Sequence, residues 1–412
     1  NTEFGVRIGA FACGLITMGY LYGLSRNLYD KTTGLRTLLL LAVLPFYFAT
    51  GMVMTADAPL VAAWAATLYY MERVLLGNSK WAWLGMGIAF GLGILSKYTL
   101  GLLGPAALLF VILDPASRRW LYRPHAYLAA ALALLLFSPV IIWNMQHDWA
   151  SITFQSSRVK GVGDDQFAVH ELFLHLMVLL TPVGLFAAAI ALWPGTKRSY
   201  STDARRRRLF VWAFTGVPLA VFFVLSIFDS QRFHWTGPIW LAVLPTMAWM
   251  MGHAGDFGTL IRRVSAAWKP TIAVCLVLYA FALHYVVLGI PGIPYVGFGE
   301  HYFWREATRE IEGIKEEVQR QTGQKPIVVG MSRWSVASAL SFYNTEEKPA
   351  GEWMDIRSRN MFSESGAMYD FWYPSEPPTT RPIILVGMRP GQLEGDVAGN
   401  DYITPKLVQP GP

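Results

Sequence analysis

Pro124-His-Ala-Tyr-Leu-Ala-Ala-Ala-Leu-Ala-Leu-Leu-Leu-Phe-Ser-Pro-Val-Ile-Ile-Trp143 contains no Asp, Glu, Lys or Arg. A helix of about 20 residues rises about 30 Å, the thickness of bilayer hydrocarbon. Before it stand Arg118, Arg119 and Arg123; after it come Asn144, Gln146, His147 and Asp148. An apolar stretch of spanning length, basic at one end and not at the other, reads as a membrane helix with a defined direction.

The same texture extends outward in both directions. Apolar runs recur near 4–23, 35–53, 58–76, 81–95, 98–113, 124–143, 169–193, 208–227, 238–252 and 271–290, about ten spans. Composition agrees: 53% of the 412 residues are hydrophobic and 15% are charged, against about 25% charged in soluble domains. The fold class expected is an all-α polytopic membrane bundle over 1–290, followed by a small α/β domain over 291–412.

The net charge of +6 does not indicate nucleic acid, because the basic residues sit in short loops between spans. Seventeen Lys and Arg fall in one set of alternate loops, around 26–36, 73–80, 118–123, 197–208 and 262–269; four fall in the other set, Lys97, Arg158, Lys160 and Arg232. The basic set is expected on the cytoplasmic side. The amino end and the carboxy-terminal domain then face outward. Cys13 and Cys275 lie within spans and read as small packing residues rather than a disulfide.

From about 296 the pattern changes. Trp304 to Gln321 has the spacing of an amphipathic helix. Pro326–Gly330 and Pro382–Gly387 read as buried strands, and Val336 to Tyr343 as a second helix. The Gly-Pro-rich residues 291–299 read as the linker.

Polar groups collect in the outward loops. In Thr55-Ala-Asp-Ala-Pro-Leu60, Asp57 reads as a helix N-cap with Pro59 in the first turn, or as a carboxylate orienting a substrate, a metal or a basic partner; the two readings are compatible. Lys97, in Ser96-Lys-Tyr98, either snorkels to the interface or meets a phosphate. The long loop Asn144–Phe167 mixes aromatics with Arg158 and Lys160, the better placed phosphate cations. Asp229-Ser-Gln-Arg-Phe-His-Trp-Thr-Gly-Pro238 crowds Arg232, His234 and Trp235 into one turn. His234 suits a proton shuttle, a phosphate donor or a metal ligand. His170, His175 and His284 read as core or interface residues. No His-Glu-x-x-His spacing, Walker loop, Rossmann fingerprint or serine-hydrolase elbow is present.

Taken in order, several segments resemble the bacterial dolichyl-phosphate-mannose–protein mannosyltransferases, glycosyltransferase family 39. The aminoarabinose transferases of lipid A belong to the same broad group, with the GT-C fold. The carrying segments are Asn1–Arg7, Thr55–Leu60, Gly91–Tyr98, Ser138–Asn144, Arg232–Pro238, and in the tail Ser335–Tyr343, Arg357–Arg359 and Tyr369–Trp372. The resemblance implies transfer of a hexosyl or pentosyl group from a polyprenyl-phosphate donor to a lipid, glycan or protein acceptor, at the outer face of a bacterial inner membrane. Asp57 and His234 are the expected catalytic pair. Lys97, Tyr98, Arg158, Arg232 and Trp235 are the expected phosphate and substrate contacts. The resemblance fixes no cofactor, and a divalent cation is compatible with the chemistry. The expected partners are the donor, the acceptor and membrane lipid, with no nucleic acid. The family's first outward loop, with an Asp-Glu motif and its catalytic Asp, is absent, and Asn1-Thr-Glu-Phe resumes where that loop ends. The expectation is therefore an upstream span and loop, to be sought by extending the reading frame before Asn1. A transporter or flippase of a lipid-linked substrate is the alternative. It predicts charges deep within spans and paired broken helices, neither of which the sequence suggests. A non-catalytic scaffold holding a partner through 296–412 is a further one.

Overall fold

In the computed structural model, the described residues are 2–159, 167–193, 201–228, 230, 232–256, 258–291, 304–347, 351–374 and 380–388, without the side chains of 157–159 and 347. The chain divides into two compact units: residues 4–281, and residues 282–412 together with 1–3.

The larger unit is helical. Its order is α1 Glu3–Leu28, α2 Lys31–Val43, α3 Pro45–Thr50, α4 Asp57–Leu75, α5 Ala82–Ser96, α6 Leu103–Leu113, α7 Pro124–Gln146, α8 Ala150–Val159, α9 Val169–Leu192, α10 Thr202–Phe228, α11 Leu244–Gly252 and α12 Thr259–Leu288, the first and last of which run past its limits. Among the described residues, α1, α7, α9, α10 and α12 are long and apolar enough to cross a membrane unaided. Their outer surfaces are apolar: Leu134 and Leu135 on α7 and Val274, Leu276 and Val277 on α12 are exposed. Water would not tolerate such continuous patches, whereas lipid requires them. The chain is a multi-pass membrane protein.

Local chemistry sets the helix ends. Asp30 caps α2, its carboxylate accepting from Thr33 N and Thr33 Oγ1, both at 2.8 Å. Pro124 opens α7, where a missing N–H costs nothing. Gly87 and Gly91, four residues apart on α5, let α7 approach closely. A Cβ on Gly87 would lie 2.7 Å from Ala129 O, and one on Gly91 would lie 3.0 Å from Ala133 Cα. This is the small-x-x-x-small contact by which membrane helices pack.

The expected spans need three corrections. The run 35–53 is two helices broken at Leu44 (φ −68°, ψ 131°), because Pro45 excludes the helical conformation for the residue before it. The helix α9 is broken at Thr181 (φ 65°, ψ 158°) ahead of Pro182, and Thr181 Oγ1 accepts the freed Gly184 N–H at 3.2 Å. Interrupted helices are therefore present where unbroken spans were expected. The segment Asn144–Phe167 is also not all loop: α7 continues to Gln146 and α8 occupies 150–159.

In the smaller unit, α13 (Trp304–Thr322), β1 (Ile327–Gly330), α14 (Ser335–Glu347), β2 (Asp355–Ser358), α15 (Tyr369–Trp372) and β3 (Ile383–Val386) follow in order. The sheet is fully parallel, β2-β1-β3, with Ile327 opposite both Asp355 and Ile383. Val328 and Ile356 pack with Trp304, Ile311, Val336 and Leu340, which identifies the face covered by α13 and α14. The central strand is buried at every position. The strand β2 escaped sequence reading because Asp355-Ile-Arg-Ser358 is four residues long and holds one apolar residue, although burial alternates along it. Its Asp355 takes hydrogen bonds from Arg357 Nε at 2.8 Å and Arg381 Nη1 at 2.9 Å. Burial pushes that carboxyl's pKa up, but the two guanidiniums outweigh it and hold it below the usual carboxylate value. The expected linker 291–299 lies, beyond residue 291, outside the described residues.

Candidate functional site

Three segments far apart in sequence meet at one end of the bundle. Asp57 is the first residue of α4. The N-cap is Ala56, without a side-chain capping bond, so the reading of Asp57 as N-cap is corrected. The carboxylate instead reaches across the end of α5. Lys97 Nζ donates to Asp57 Oδ1 at 2.8 Å. On the carboxylate's other side, His234 Nε2 lies 3.5 Å from Oδ2, an ion-pair distance when the imidazole is protonated. The Asp57 side chain is 10% exposed, that of Lys97 21% and that of His234 32%. A nearly buried anion is thus flanked by cationic or potentially cationic groups that still reach solvent. Away from bulk water such attractions strengthen severalfold.

The backbone fixes this geometry. Lys97 leaves α5 in an extended conformation (φ −162°, ψ 134°), which swings its side chain toward α4. Ser96 Oγ donates to Ala56 O at 2.7 Å and pins the end of α5 to the start of α4. The turn carrying His234 is held from behind. Tyr47 Oη donates to Gly237 O at 3.0 Å, and a Cβ on Gly237 would lie 2.3 Å from the Phe46 ring. Only glycine fits that approach. Trp235 packs against the core, and Lys97 Nζ lies 5.8 Å from its ring centroid, close enough for a cation–π attraction.

Of the residues singled out from sequence, Asp57, Lys97, His234 and Trp235 come together. Tyr98 is adjacent, but its hydroxyl meets Ser151 Oγ at 2.9 Å. Arg232 is exposed at the start of the same turn. Arg158 lies on α8, with its side chain outside the described residues, as is Lys160. Asp57 and His234 could supply two metal ligands; among the described residues no group of three His, Cys, Asp or Glu converges.

Sequence reading missed a second charged cluster. Arg206 on α10 grips Asp114 through Nε, 3.1 Å from both carboxylate oxygens, and Nη2 at 2.9 Å from Oδ2. Arg206 Nη2 also donates to Leu75 O, the last residue of α4, at 2.5 Å, and Ser117 Oγ donates to Asp114 Oδ2 at 2.6 Å. Burial pushes the Asp114 carboxyl's pKa up, but the Arg206 and Ser117 bonds outweigh it and leave the group below its usual value. Four consecutive arginines, 205–208, gave no indication of which one turns inward.

Comparison with known proteins agrees with this architecture. Residues 1–143 match the family model described as dolichyl-phosphate-mannose-protein mannosyltransferase. The chain is 26% identical over 335 residues to the lipopolysaccharide core galacturonosyltransferase RgtA of Rhizobium johnstonii, covering 75% of this chain and 64% of that protein. The crystal structure of ArnT from Cupriavidus metallidurans bound to undecaprenyl phosphate superposes with a TM-score of 0.50 at 15% identity, covering 83% of this chain and 61% of that one. The chain thus spans slightly under two thirds of the length of these relatives. The likeness to ArnT shows the fold, a GT-C helical bundle, as expected from the sequence.

Proposed function

We propose that this chain, which resembles the dolichyl-phosphate-mannose–protein mannosyltransferases in residues 1–143 and has the GT-C fold, belongs to a membrane enzyme that moves a sugar from a polyprenyl-phosphate donor to a lipid, glycan or protein acceptor. The observation that carries the reading is the Asp57 carboxylate set between Lys97 and His234 at the bundle end where cations are otherwise scarce. The names of the relatives support it: one is a galacturonosyltransferase, and the other holds undecaprenyl phosphate.

In such a transfer an acceptor hydroxyl oxygen attacks the sugar's anomeric carbon as the bond to the lipid phosphate breaks. The hydroxyl proton leaves to a base, and the departing phosphate gains negative charge. Lys97 and His234 supply N–H donors where that charge develops, with Arg232 at the rim. Donors already aimed at a developing charge need no reorganisation during reaction, the source of much enzymatic rate enhancement. Asp57 keeps Lys97 and His234 aimed, and its carboxylate is also placed to orient the acceptor or a divalent cation. The site faces outward from the inner membrane of a bacterium, and the tail unit lies on the same side, as the Lys and Arg distribution suggests.

The test is transfer by the full-length purified protein from a polyprenyl-phosphate-linked sugar, with product followed by mass spectrometry. Asp57→Asn should lower the rate at least about 100-fold, the scale of losing a positioned catalytic group. Unchanged transfer by Asp57→Asn would remove this residue from the mechanism. Movement of intact donor across the bilayer without sugar transfer would favour a flippase.

A further inference from the structure

We propose that Asn144 and Ser151 are positioning residues for this site, acting on Lys97 through the hydroxyl of Tyr98; the role in transfer rests on the function proposed above. Tyr98 directly follows Lys97 and begins the 3-10 turn Tyr98–Leu102. Its Oη lies 2.9 Å from Ser151 Oγ, and Ser151 Oγ donates at 2.7 Å to Asn144 Oδ1. An amide oxygen can only accept, so the one Ser151 proton is committed to Asn144, and Tyr98 must be the donor to Ser151. The relay has a single sense, Tyr98 to Ser151 to Asn144.

The end of the relay is firmly held. Asn144 is 1% exposed. Its Oδ1 also accepts the Ser151 N–H at 3.2 Å, and its Nδ2 donates to Val140 O at 2.9 Å. A buried amide on a membrane helix is costly unless its bonds are made, and here both ends of the amide are used. The bend after α7 is strained: Asp148 (φ 48°) and Trp149 (φ 56°) are consecutive non-glycine residues in the left-handed region. Trp149 N–H donates to Asn144 O at 2.9 Å. One residue thus ties the strained bend, the start of α8 and, through Ser151, the Lys97 turn. Apolar packing alone would need no Asn, Ser and Tyr arranged in this order.

The experiment uses the full-length protein and the transfer assay with polyprenyl-phosphate-linked sugar. Tyr98→Phe, Ser151→Ala and Asn144→Ala should each lower kcat about 3- to 10-fold, the scale of one hydrogen bond, with a smaller change in the donor KM. Tyr98→Phe combined with Ser151→Ala should be no worse than the poorer single variant, and Ser151→Thr should recover most of the rate. Multiplying losses, or unchanged kcat in all three with an active parent, would overturn the relay. If the parent protein performs no transfer, the proposed function fails separately. A spin label at Gln155→Cys, in a Cys13→Ala/Cys275→Ala background, then reads the relay alone. Ser151→Ala and Asn144→Ala should sharpen the α8 spectrum; spectra identical to the parent's would overturn the inference.

Discussion

The helix α4 has a buried or nearly buried carboxylate at each end, Asp57 at its start and Asp114 beside its last residue, Leu75, and the two are treated in opposite ways. Asp114 is saturated by a planar guanidinium, a serine hydroxyl and the fixed backbone around them. Arg offers a rigid fork with several donors, so this pair makes a strong, specific joint. Asp57 is met by a lysine ammonium and a histidine, one on each oxygen, and both partners keep a path to solvent. A lysine is a point charge on a flexible stem, and a histidine changes charge near neutral pH. The Arg206 end is thus the more rigidly held, and under the proposed function the Lys97 end exchanges Asp57 for the donor phosphate. Burial and charge alone do not distinguish the two ends, since Lys97 and Arg206 are similarly exposed; the identity of the cation does.

Several substitutions would break or sharpen that contrast. The largest effect is expected from Lys97→Met, which removes the ammonium and leaves Asp57 short of a partner. Transfer should fall about 100- to 1,000-fold, and Lys97→Arg should recover only part of it, as a kinetic assay of both would show. Next comes Arg206→Met, which strands Asp114 without its counter-charge. Breaking a buried pair costs about 3–5 kcal/mol, visible as a lower unfolding temperature in detergent. Gly237→Ala should be milder, about 1–3 kcal/mol, because the new Cβ forces the Phe46 ring aside. It should also disturb the turn that holds His234, so transfer and stability should fall together.

The smallest effect is expected in the tail. Asp355→Asn should cost about 1 kcal/mol, since its pairs with Arg357 and Arg381 are partly exposed. The pH dependence has a definite sign. Asp114 and Asp355 both have folded pKa values below the ordinary 3.8. Their contributions are therefore fully present above that ordinary value and are lost as pH falls through the lower folded values. Unfolding measured between about pH 5 and pH 2 should show Asp114→Asn and Asp355→Asn with flatter profiles than the parent.

Much of this was legible in the sequence, for identifiable reasons. Apolar runs reveal membrane helices because lipid leaves a helix few alternatives. Lys97, Arg232 and His234 stood out because charge is rare in the loops opposite the basic ones. The breaks at Leu44 and Thr181 each precede a proline, a signal present in the sequence but shared with Pro139, Pro218 and Pro270, which lie inside α7, α10 and α12. The pairing of Asp114 with Arg206 spans 92 residues and has no local signature. The same holds for Tyr98 and Ser151, which are 53 residues apart. The helix α8 was hidden by its low hydrophobicity, and β2 by its brevity.

The most direct test of the central claim sets two isosteric substitutions side by side in the full-length protein, Asp57→Asn and Asp114→Asn, each measured for polyprenyl-phosphate-dependent sugar transfer and for thermal unfolding. The account predicts a double dissociation: Asp57→Asn loses transfer at least about 100-fold and keeps its unfolding temperature, whereas Asp114→Asn loses stability and keeps transfer in the folded fraction. Full transfer by Asp57→Asn, or equal loss of both properties in the two variants, would contradict it.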